Sequence, residues 1–190
     1  MNETDQKQAE LLSDYVLAED QRMAAIHEAG HAVVNCLLRV PFRRVRLFDF
    51  EKYIQEDGPS LGNENIIDAN PVRPDDLTRK RARHYVMASL AGPIAEGLKA
   101  AGMWPDDYHS DGRKADMNSV AVLLEVHGLV LRPLQVQTVE ILVRTWECVE
   151  AVAKELLVRK NMSRGLPRSP PDPAEEPQVF WARFLRADSL

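Results

Sequence analysis

The chain has 190 residues, 45% hydrophobic and 28% charged, which is enough to bury the core of one domain. A net charge of −5 argues against nucleic acid as the main partner. Two cysteines, Cys36 and Cys148, make no disulfide framework, and no apolar run approaches the length needed to cross a bilayer, so a cytoplasmic protein without a membrane span is expected.

Residues 1–19 read as an arm or a short helix around Leu11, Leu12, Tyr15, Val16 and Leu17, and the polar start has no apolar segment suited to a signal peptide. Asp20 suits the N-cap of a helix running to about Arg39, in which Met23, Ile26, Val33, Val34, Leu37 and Leu38 recur at helical spacing. Gly30 inside it costs about 1 kcal/mol relative to alanine, and close approach of another backbone would compensate. Pro41 ends this helix. Alternation around Val45 and Leu47 predicts a strand from about 43 to 50, and a second short strand is expected near 60–66 after the turn at Gln55 to Pro59.

A loop through Asn70, Pro71 and Pro74 leads to a helix from about 75 to 100, with Asp75 and Asp76 at its positive end and Gly102 just past its close. The basic run Arg79-Lys80-Arg81 with Arg83 reads as a solvated face of that helix. After an acidic loop at 103–110, a helix starts near Ser110 or Asp111. It carries Asp116, Val120, Leu123 and His127 on one stripe and ends at Gly128. Pro133 suits the first position of a long last helix reaching about Asn161. Residues 163–177 hold five prolines and read as a linker. Val179, Phe180, Trp181, Phe184 and Leu185 then form an amphipathic tail (178–190) fit to dock on the domain, on a partner or on another copy. Both cysteines fall in apolar helical patterns and read as reduced core residues.

The chemistry lies in His27-Glu28-Ala29-Gly30-His31. Residues four apart on a helix project from nearly the same face, so both imidazoles can bind one metal ion. Glu28, beside the first of them, is placed to take a proton from a water on that metal, and Zn²⁺ makes such a water a nucleophile at neutral pH. A tetrahedral site then lacks one protein ligand. A histidine six residues after His31 is absent, since Leu37 stands there. Glu51, Glu56 and Glu64 fall in the strand–turn region, which leaves Glu96 and Asp116, both on predicted helices.

Four segments in order, His27-Glu28-Ala29-Gly30-His31-Ala32, Leu61-Gly62, Leu90-Ala91-Gly92-Pro93-Ile94-Ala95-Glu96 and Gly112-Arg113-Lys114-Ala115-Asp116, resemble the peptidase domain of the FtsH-like AAA metalloproteases (peptidase family M41) over residues 20–160. The resemblance implies a mainly α zinc-metallopeptidase domain (residues 20–162) with a small β-sheet next to the His-Glu-x-x-His helix. It further implies His27, His31 and Asp116 as zinc ligands and Glu28 as general base. Glu96 is better assigned to orienting an imidazole by accepting its second N–H. Pro93 and Gly97 depart from the residues usual in that family's second motif. No GxxxxGK[ST] phosphate loop occurs in the chain, so the resemblance is to the peptidase domain alone. The expected activity is cleavage of peptides or unfolded proteins by a zinc endopeptidase, with no nucleotide. The alternative is a metal-binding regulatory or protein-interaction module, acting through a separate partner or through self-association of the tail. His84, His109 and His127 have no matched role.

Overall fold

The computed structural model describes residues 3–42, 44–47, 73–100, 111–159 and 161–163. Among them the chain is mainly helical. It forms α1 (Glu3–Leu38), β1 (Arg44–Arg46), a 3-10 turn (Pro74–Asp76), α2 (Arg79–Lys99), α3 (Asp111–His127), α4 (Leu131–Arg144), α5 (Trp146–Arg159) and β2 (Asn161–Ser163). No described helix is long and apolar enough to cross a membrane.

α1 is the axis of the fold. It packs along α2 on one side and α5 on the other, while α2 also contacts α3 and α4. Every residue from Ala25 to Cys36 is therefore buried, where the sequence pattern alone predicts only a stripe. Small side chains set how closely the helices approach. A Cβ at Gly30 would lie 2.7 Å from the Ala91 carbonyl oxygen and 2.7 Å from the Ala95 Cβ. The close backbone expected opposite Gly30 is thus the middle of α2. Pro93 lies inside α2 and has no N–H, so the helix lacks its bond to the Ser89 carbonyl one turn back.

Several boundaries differ from the sequence reading. Asp20 is not an N-cap: α1 runs unbroken from Glu3, so the boundary expected at residue 19 falls within a helix. No glycine or proline interrupts residues 3–29, and one interior aspartate costs too little to stop a helix. Asp75 and Asp76 belong to the 3-10 turn, and α2 starts after Thr78, whose hydroxyl accepts the Arg81 N–H at 3.3 Å. The long last helix is two helices. At Thr145 (φ −117°, ψ 22°) the hydroxyl and the amide both bond the Ile141 carbonyl, at 2.8 and 3.0 Å, and the helix turns there. The turn lets α4 bury Leu134, Thr138 and Leu142 toward α2 while α5 buries Val149, Val152 and Leu156 toward α1. Pro133 is the third residue of α4, not the first.

The strand begun near Val45 has three residues and pairs antiparallel with β2, Arg44 opposite Ser163 and Val45 opposite Met162. That pairing, between residues 115 to 119 positions apart in sequence, was not foreseen. The second strand expected at 60–66, the loop at 103–110, His109, the linker at 164–177 and the tail at 178–190 lie outside the described residues. α3 starts at Asp111 and ends before Gly128, whose φ of +57° is the left-handed close expected of a glycine there. Cys36 and Cys148 are buried and form no disulfide.

Candidate metal centre

His27 and His31 lie one turn apart on α1, and both are buried. Their side chains are turned by acceptors from α2. Glu96 Oε1 is 3.0 Å from His27 Nδ1, and the Ala88 carbonyl oxygen is 2.7 Å from His31 Nδ1. A carbonyl oxygen only accepts, so His31 carries its proton on Nδ1 and presents the Nε2 lone pair. The Glu96 carboxylate sets the same tautomer on His27. Glu96 is the carboxylate expected from the sequence to orient an imidazole, and it stands against His27 Nδ1. The Ala88 carbonyl had no signal in the sequence, because a backbone oxygen is independent of residue type.

The two Nε2 atoms are 3.0 Å apart, and Asp116 Oδ2, from α3, lies 3.2 Å from each. With both Nε2 atoms deprotonated, three acceptor lone pairs converge on one point, which repels unless a cation sits among them. A proton answers one pair of contacts, whereas a divalent ion answers all three. Bonds of about 2.0–2.2 Å to a single ion span donor atoms about 3.0–3.5 Å apart, which is the separation here. His27, His31 and Asp116 therefore form a group that could hold a metal ion, and their chemistry fits one.

The electrostatics agree. Burial works against charge on His27, but hydrogen bonds to Asp116 and Glu96 and the charge of Glu28 outweigh it and hold its pKa up to about 10. Burial likewise opposes charge on Asp116, yet the neighbouring imidazoles hold its carboxyl well below the usual range. The site favours positive charge at the Nε2 pair and negative charge at Asp116. Glu28 is different: burial pushes its carboxyl up to about 7, against the pull of His27 and His31. Its Oε2 is buried with no hydrogen-bond partner among the described residues, so a carboxylate oxygen with a raised proton affinity is left unused beside the donor triangle.

Gly92 completes the site and was not assigned a role from sequence. A Cβ there would lie 2.3 Å from His31 Nε2 and 2.6 Å from His27 Nε2, so only glycine lets α2 pass the two donor nitrogens. The signal was present in the Ala91-Gly92-Pro93 run but had no physical reading before the helices were placed. The remaining described histidines are structural. His84 Nδ1 donates to the Leu38 carbonyl at 3.1 Å and closes the last turn of α1, and His127 Nε2 donates to the Pro74 carbonyl at 2.9 Å.

Compared with protein-family models, curated proteins and solved structures, the chain finds no match. The function must be argued from its own side chains. The first consequence is measurable. His27→Ala, His31→Ala and Asp116→Ala should each lose most of a metal content of about one ion per chain. Glu96→Ala should keep the ion but bind it about 10–100-fold more weakly, since it only orients His27. Elemental analysis and competition with a chromophoric chelator check both. Full metal in Asp116→Ala would remove it from the ligand set.

Proposed function

We propose that the protein is a zinc-dependent endopeptidase that hydrolyses peptide bonds in peptides or unfolded proteins without ATP. The observation that carries this reading is the pairing of a three-donor cation site with a buried, unpartnered Glu28 oxygen beside it. Structural zinc sites are usually closed by four protein ligands, so three donors among the described residues and an adjacent base favour a catalytic one. The four-segment resemblance to FtsH-like peptidase domains supports the same assignment, including a compact zinc-peptidase fold around α1.

When bound at His27, His31 and Asp116, zinc supplies the Lewis acidity that polarises a scissile carbonyl and makes water nucleophilic at neutral pH. The chain's own residues do the rest. Glu96 and the Ala88 carbonyl hold the imidazoles with Nε2 facing the site. Glu28 accepts the proton of the attacking water at its carboxylate and delivers it to the amide nitrogen as the C–N bond breaks, so one water is consumed and an amine and a carboxylate are released. A substrate must present an extended backbone to these groups, which a stably folded protein does only on local opening. No phosphate loop in the chain couples that opening to a nucleotide.

The test is cleavage of a permanently unfolded protein by the zinc-loaded chain. The expected result is fragmentation that stops with a chelator, returns with zinc and is unchanged by ATP. If zinc binds yet no unfolded or peptide substrate is cut, the chain is a metal-binding interaction module instead.

A further inference from the structure

A concave surface toward the start of α2 is lined by none of the three donor residues. It is an open cleft of about 730 Å³ between α2, the end of α1 and the start of α4. Buried Met87 and Leu134 and half-buried Leu38 give it an apolar base, and exposed Arg79, Lys80 and Arg83 stand along it. No carboxylate is among its described lining residues. Arg79 donates to the Gly128 carbonyl at 3.0 Å and Arg83 to Gln137 at 3.3 Å. These bonds hold the two guanidinium groups along the cleft while leaving further N–H donors on each. The volume is that of a site for a short peptide segment or a small ligand. The basic run read as a plain solvated face therefore borders a cavity.

The chain itself contains a segment of complementary chemistry. Asp172, Glu175 and Glu176 place three carboxylates within five residues without a cation, and Val179, Phe180, Trp181, Phe184 and Leu185 follow. Reach permits contact. Ser163 pairs with Arg44, and Arg44 is six residues from Leu38 on the cleft wall. The cleft thus starts within about 27 Å of Ser163, and the nine residues to Asp172 span about 30 Å when extended. We propose that residues 172–185 of the same chain bind this cleft, carboxylates on the Arg79–Lys80–Arg83 edge and aromatic side chains on the apolar base. The proposal is independent of the metal centre. A tether of this length holds the segment at an effective concentration on the order of millimolar, so even a contact of about 100 µM intrinsic affinity is about tenfold more often closed than open.

Hydrogen–deuterium exchange on the full chain tests it. The amides between 172 and 185 should exchange about tenfold more slowly than an unprotected peptide, independently of protein concentration. Protection should vanish in Lys80→Glu/Arg83→Glu and in Glu175→Lys/Glu176→Lys, and return when both pairs are exchanged together. Glu175 and Glu176 belong to none of the described helices, so the tail-side pair keeps the test decisive if the helix-side pair unfolds. Unprotected amides in the wild type, or protection that survives the tail-side reversal, would overturn the proposal. Protection that rises with protein concentration would overturn it in favour of docking between copies.

Discussion

Gly92→Ala should yield a folded, helical protein that no longer holds a metal ion. The added Cβ would stand 2.3 Å from His31 Nε2 and 2.6 Å from His27 Nε2, far inside van der Waals contact. Neither ring can easily step aside, because each is held at Nδ1 by an acceptor on α2, the same helix that carries the new methyl group. The donor atoms must separate or turn, and misplaced ligands cost affinity at least as heavily as lost orienting partners, about 100-fold. Folding is affected less. Alanine is favoured over glycine in a helix by about 1 kcal/mol, which offsets part of an overpacking cost of about 1–3 kcal/mol. Circular dichroism, thermal unfolding and metal analysis on one preparation separate the two effects. Gly128→Ala is the control: it has open space around it and φ of +57°, so it should lower stability modestly and leave metal content untouched. A Gly92→Ala protein with full metal would mean that the ion does not use the His27 and His31 Nε2 atoms.

Glu28→Gln should keep zinc and fold but lose hydrolysis of unfolded protein by about 10²–10⁴-fold, the usual contribution of a positioned base. Glu28 is not among the converging donors, so its amide leaves metal content near wild type. The amide has nearly the same shape but no basic oxygen to hold a proton. Stability should not fall. Burial holds the Glu28 pKa above its unfolded value, at about 7, so in the metal-free protein ionising this group opposes folding as pH rises from about 4.5 through 7. The neutral variant lacks that loss and should unfold at an equal or higher temperature at pH 8. Cleavage at the wild-type rate in Glu28→Gln would remove Glu28 from the mechanism even if zinc proved essential.

How far these residues can be read without coordinates depends on the range of the interaction that places them. That His27 and His31 can face one point follows from helical geometry alone, because residues four apart share a face whatever surrounds the helix, while Glu28 was read from the chemistry of the motif. The cost of Gly30 inside a helix likewise pointed to a close neighbour, and Gly128 marked the end of α3 through backbone freedom that only glycine has without strain. Asp116 came from resemblance, and its position on α3 has no local signature beyond that of an ordinary first-turn acid.

Tertiary structure decided what stands opposite these residues. The Nδ1 acceptors come from Glu96 and the Ala88 carbonyl, 69 and 57 positions away, and only the α1–α2 crossing brings them within hydrogen-bond distance. The same crossing puts Gly92 against both Nε2 atoms, a constraint invisible along the chain because it depends on interhelix distance. The break at Thr145 arises because α4 and α5 bury their stripes against different partners, although their combined pattern reads as one helix. The sequence by itself determined which side chains share a helical face, since that depends on a fixed rise and twist per residue. Packing between distant segments decided which faces meet, and through them which three side chains stand close enough to hold one metal ion.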